Sequence, residues 1–149
     1  MVEDFRDLLA ELVSADARFL VVGAHALGVH GVPRATVDLD IWVDPTPDNA
    51  KRIWTALAAF GAPLDALRVQ EADFLRPDTV VQFGLPPYRI DILTGVSGVT
   101  FREAWIDRIE DQFEEGPRQP RNPGETQLTL PRFTPPCRQH CRPANSVHP

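Results

Sequence analysis

Residues 36–43, Thr-Val-Asp-Leu-Asp-Ile-Trp-Val, constrain this chain more than any other stretch. Apolar side chains recur there at every second position, the pattern of a strand with one face in a core. Val37, Leu39, Ile41 and Val43 take the core side and leave Asp38, Asp40 and Trp42 on the other. Aspartate is a poor strand former, so two on one face call for a reason beyond folding. Neighbouring carboxylates repel each other unless a cation offsets their charge. The plain alternative is a half-exposed strand whose polar side faces water.

The residues before this strand add a second feature. An apolar strand over 18–22 runs into Gly23 and a short helix over 24–30, closed by Gly31 and by Pro33. A glycine at such a turn leaves amides at the start of a helix, where they and the helix dipole attract phosphate. Arg34 offers a planar fork to a phosphate, or a salt bridge across the mouth of the cleft. Thr36 either hydrogen-bonds the glycine turn or is an ordinary strand residue. His25 stands close enough to the glycine to contact a substrate, whereas His30 reads as a structural histidine.

Downstream, Asp44 reads as a cap on the turn that follows. Thr46 then serves as N-cap and Pro47 as the first turn of a helix that runs to Phe60 and ends at Gly61. Short strands are expected around residues 68–74, 79–83 and 88–93, with Pro86-Pro87 marking a turn. Asp91 alternates with Ile90 and Ile92, so it can face the same cleft as the first pair or simply partner Arg89. Amphipathic helices are expected over residues 3–13, carrying Phe5, Leu8, Leu9, Leu12 and Val13, and over 101–113. Helices interspersed with strands imply an α/β (α+β) fold, a mixed sheet flanked by helices.

Composition bounds the rest. A chain of 149 residues supports one domain. A net charge of −6 argues against a nonspecific nucleic-acid binder, though a local basic patch for RNA stays compatible. Composition changes near Gly116. The tail from Pro117 has five arginines against the single acid Glu125, and eight of the 15 prolines. Residues 1–116 therefore read as the folded domain and 117–149 as a largely disordered tail. Cys137, His140 and Cys141, with His148, lack the paired-knuckle spacing of a structural zinc site and read as free side chains. No apolar run suits a bilayer and the acidic N-terminus is unlike a signal peptide, so the expectation is a cytoplasmic protein with no membrane partner.

Together, Gly23-Ala-His-Ala-Leu and Arg34-x-Thr-x-Asp-Leu-Asp40 resemble the nucleotidyltransferase superfamily with the DNA polymerase beta-like fold. Within it the chain looks most like the AbiEii/AbiGii-type toxin nucleotidyltransferases, and the resemblance spans about residues 5–113. Gly23 matches the family glycine, but Ala24 stands where a serine is usual. Asp38 and Asp40 match the metal-holding pair, and Asp91 is the candidate third carboxylate. The resemblance implies a minimal nucleotidyltransferase-like domain in which Asp38, Asp40 and Asp91 are catalytic and hold Mg2+ or Mn2+. Gly23, Ala24, His25, Arg34 and Thr36 would line the nucleotide. The implied reaction moves a nucleoside monophosphate from a nucleoside triphosphate to an acceptor: tRNA or other RNA, a protein, or a small molecule. A toxin–antitoxin setting would add a cognate antitoxin as partner. Family members usually continue with a helical segment bearing Lys and Arg-x-x-Asp, which the tail does not match; a shifted reading frame would account for that.

Other classes also use paired aspartates. A haloacid-dehalogenase-like phosphatase carries its pair in a loop beyond a strand, and a metal-dependent glycosyltransferase is usually longer. A nearer rival is a nucleotidyltransferase-fold protein without catalysis, a module that binds a nucleotide or a protein. Loss of the serine and of the usual C-terminal segment favours that reading.

Overall fold

The computed structural model describes residues 3–23, 38–112, 127–131 and 145–146. The first helix, α1 (Glu3–Ser14), buries Phe5, Leu8, Leu9 and Leu12. Val13 lies off that stripe and is exposed. A second helix, α2 (Pro47–Phe60), has Thr46 at the N-cap and Pro within its first turn. The Thr46 side chain makes no capping hydrogen bond, so the proline is what fits this end to a helix. At the other end Gly61 adopts φ 85°, the left-handed conformation that stops a helix at little cost to glycine.

Four strands form the main sheet: β1 (Phe19–Val22), β2 (Asp38–Val43), β3 (Thr79–Phe83) and β4 (Arg89–Leu93). Their order is β1-β2-β4-β3. The β1–β2 and β3–β4 pairs are antiparallel, and the central β2–β4 pair is parallel. The architecture is therefore mixed α+β, as the alternation of elements implied. Three further strands are β5 (Arg108–Gln112), β6 (Gln127–Pro131) and β7 (Asn145–Ser146). β5 and β6 form a separate antiparallel pair, while β7 extends the main sheet beside β3. Apart from β6 and β7, the expected disordered tail lies outside the described residues.

Among the described residues each face of the sheet carries its own cluster, and the two differ in size. Leu39, Ile41 and Val43 of β2, Val81 and Phe83 of β3, and Ile90 and Ile92 of β4 pack with α1 and α2 in the main core. On the opposite face, Leu20 and Trp42 pack beneath Phe101 and Ala104 of a short helix, α3 (Phe101–Ile106). Trp42 meets Phe101 edge-on at 5.3 Å between ring centroids. That small cluster covers only one end of its face. At the other end of this face Asp38 and Asp40 are half-buried.

Two expectations need correction. Residues 68–74 form no strand; a 3-10 turn spans Glu71–Leu75 instead. Asp73 turns back to accept the Gln70 backbone N–H at 2.7 Å, and Phe74 is drawn fully into the core. Nor does the last helix run to residue 113. It stops at Ile106, where Arg108 donates to the Trp105 carbonyl at 2.9 Å and the chain re-enters a strand. Satisfying that carbonyl from the side removes the need for another helical turn.

Candidate functional site

Strand register builds the site. In the parallel β2–β4 pair, Asp40 is directly opposite Asp91, and Asp38 is opposite Arg89. Residues opposite one another in a sheet project from the same face. The two-residue spacing of Asp38 and Asp40 puts both on that face, so the three expected carboxylates share one surface. On the flanks, Val22 of β1 lies opposite Asp40, and Gln82 of β3 lies opposite Asp91. Val22, Asp40, Asp91 and Gln82 thus form one row across all four strands. In the next row, Leu20, Trp42, Leu93 and Val80, the first three pack with the α3 cluster.

Gly23 follows directly after β1 and meets this row from the side. Its φ is +70°, and a Cβ at this position would run into Asp40 Oδ2, with Asp40 Cγ at 3.1 Å. Glycine is thus required here twice, for the backbone and for the close approach of the carboxylate. The sequence pointed to Gly23 as a turn near a phosphate; the structure adds that it makes room for Asp40. Ala24, His25, Arg34 and Thr36, the other expected nucleotide-lining residues, lie outside the described residues, as do the expected helix over 24–30 and residues 36 and 37 of the strand.

Electrostatics set the acids apart from ordinary surface carboxylates. Asp40 is raised to about 6, first because burial penalises its charge, then because Asp91 and Asp38 add like charge. Asp91 is raised as well, again mainly by burial and with Asp38 contributing, while the hydrogen bond from Gln82 and the charge of Arg89 pull it back. Gln82 Nε2 donates to Asp91 Oδ1 at 2.8 Å. Asp44 holds no place in this row. Its carboxylate stands 3.8 Å from Arg18, and its backbone carbonyl accepts from Thr46 and from Asn49. The expected capping of the turn is carried by that carbonyl.

The donor set suits a hard divalent cation such as Mg2+ or Mn2+, which takes carboxylate oxygens. Such an ion would offset the burial and repulsion that raise Asp40 and Asp91. Among the described residues no three His, Cys, Asp or Glu side chains converge closely enough to form a finished metal cage. What is present is a row of acids in register. Sequence reasoning missed Gln82, which sits in an apolar strand with no motif around it. It also missed Asn49, buried to 3% exposure, which ties the start of β1 to the end of β2. Asn49 accepts from the Arg18 N–H at 2.7 Å and donates to the Arg18 and Asp44 carbonyls, each at 2.9 Å. A polar residue on the buried side of an amphipathic helix was the only signal for it.

Comparisons of the chain with protein-family models, with curated proteins and with solved structures found no match. Among the described residues no helix is long and apolar enough to cross a membrane.

Proposed function

We propose that this chain is a nucleotidyltransferase of cytoplasmic location, dependent on Mg2+ or Mn2+, in which an acceptor hydroxyl attacks the α-phosphate of a nucleoside triphosphate, takes the nucleoside monophosphate and releases pyrophosphate. The observation that carries the reading is the register of Asp40 beside Asp91, with Asp38 on the same face and Gly23 fitted against Asp40. Asp38 and Asp40 would hold the cation beside the triphosphate, and Asp91 would face the acceptor hydroxyl. When bound, the cation supplies charge neutralisation at phosphate oxygens and a lower pKa for the attacking hydroxyl. The residues' own part is to fix oxygens of one sign on a rigid strand pair. Trp42 and the α3 cluster make an apolar border along the neighbouring row. The acceptor classes are tRNA or other RNA, a protein hydroxyl, or a small molecule. In a toxin–antitoxin setting a cognate antitoxin would be a further partner.

One residue favours a second reading. Ala24 removes a hydroxyl that would assist the triphosphate, which supports a module that binds a nucleotide or a protein without catalysis. The two readings separate in one experiment. Each nucleoside triphosphate, labelled at the α-phosphate, is incubated with Mg2+, the chain, and host RNA, protein or small-molecule fractions. Label incorporated by wild type and lost in Asp40→Asn and Asp91→Asn supports the transferase. Nucleotide binding with no incorporation in any fraction supports the binding module.

A further inference from the structure

Gln82 is the one uncharged hydrogen-bonding side chain in the row that carries Asp40 and Asp91, and it lies on β3, across β2 and β4 from the strand that leads into Gly23. Its neighbours in β3, Val81 and Phe83, are buried in the main core, so the strand that presents Gln82 is anchored on both sides. The side chain itself is exposed and packs no core. Its Nε2 donates a 2.8 Å hydrogen bond to Asp91 Oδ1. An exposed glutamine contributes little to folding, yet this one donates to a carboxylate of the acidic row. A carboxylate that must present an oxygen in a set direction gains from such a neighbour.

We infer that Gln82 is a positioning residue, holding Asp91 by one oxygen so that the carboxylate stays turned along the acidic row beside Asp40. The inference rests on the proposed function for the cation that the row would hold; the hydrogen bond itself does not depend on that reading. Gln82 acts through Asp91 and touches no substrate. Replacing it removes the donor without removing a carboxylate, so the loss should appear only while Asp91 is present.

A double-mutant cycle with Gln82→Met and Asp91→Asn, read as Mn2+ affinity by the paramagnetic signal of free Mn2+, tests this. Thermal unfolding of each variant checks that the fold is kept. Gln82→Met is expected to weaken Mn2+ binding about tenfold in the wild-type background and to have no further effect beside Asp91→Asn. Unchanged affinity in Gln82→Met, or an equal loss in both backgrounds, overturns the inference. A second readout needs no metal: the Gln82 side-chain amide resonances should shift and exchange faster with water in Asp91→Ala, which leaves Nε2 no acceptor at this position. A wild-type chain that binds no Mn2+ contradicts the proposed function, and the amide signal then decides the inference alone. An amide signal indifferent to Asp91 overturns it.

Discussion

Gly23 and Asp40 fit against each other: the glycine's φ of +70° and its missing side chain leave the space that the Asp40 carboxylate occupies. Replacing Gly23 by Ala should therefore act at two levels. The left-handed backbone costs about 1–2 kcal/mol for a residue with a Cβ, read as lower stability in urea. The displaced carboxylate should also weaken Mn2+ binding. In an Asp40→Ala background the stability loss should persist, since it belongs to the backbone, while Mn2+ affinity should fall no further. Equal Mn2+ affinity in Gly23→Ala and wild type would contradict this packing.

Asp40 gives a pH-dependent prediction. Its carboxyl is raised from 3.8 to about 6 in the folded chain. Below pH 3.8 both folded and unfolded forms are protonated and the group costs nothing. As pH rises through this window the unfolded chain ionises first, and above about 6 the folded chain carries a charge it disfavours. The full penalty corresponds to about 3 kcal/mol. Asp40→Asn should accordingly stabilise the metal-free fold above pH 6, with the gain fading toward pH 4, in urea unfolding across that range. A gain that grows toward low pH would contradict the assignment. Cation binding should tighten in the opposite sense, as pH rises through 6.

Asn49 makes a structural prediction separate from the site. Its amide answers the Arg18 N–H and two carbonyls at the junction of β1 and β2. Asn49→Leu keeps the branched outline of the side chain but leaves the Arg18 N–H without its acceptor and takes one of two donors from each carbonyl, at a cost of about 1–3 kcal/mol. Asn49→Asp keeps the acceptor for the Arg18 N–H but loses both donated bonds and places a charge in the core. It should be no more stable than Asn49→Leu. Chemical unfolding midpoints measure both, and a neutral Asn49→Leu would refute the clamp.

How far the sequence foretold this depends on the kind of signal. The β2 strand was legible because Leu39, Ile41 and Val43 alternate with the aspartates, and all three are fully buried. The α2 ends were marked by Pro47 and Gly61, residues whose backbones allow few choices. The 3-10 turn at Glu71–Leu75 was not legible, since Val69 and Phe74 in an irregular segment look like strand residues until the Gln70–Asp73 capping bond is known. The early end of α3 rests on Arg108 reaching back to Trp105, with the Arg108 guanidinium 4.4 Å from the Trp105 ring centroid. Within the site, Asp38, Asp40 and Gly23 carried a local pattern. Asp91 was marked by alternation and by the resemblance, and its pairing with Asp40 needed the register of two strands separated by 45 intervening residues. Gln82 and Asn49 acquire meaning only from their partners.

The most direct test of the acidic row is paramagnetic broadening of backbone amide resonances by Mn2+ added to the metal-free chain. Broadening should centre on Asp40, Asp91 and Gly23, weaken along β2 and β4 with distance from them, and disappear in Asp40→Asn. Broadening centred on other acids, or none at all in the folded chain, would contradict a cation site at this register.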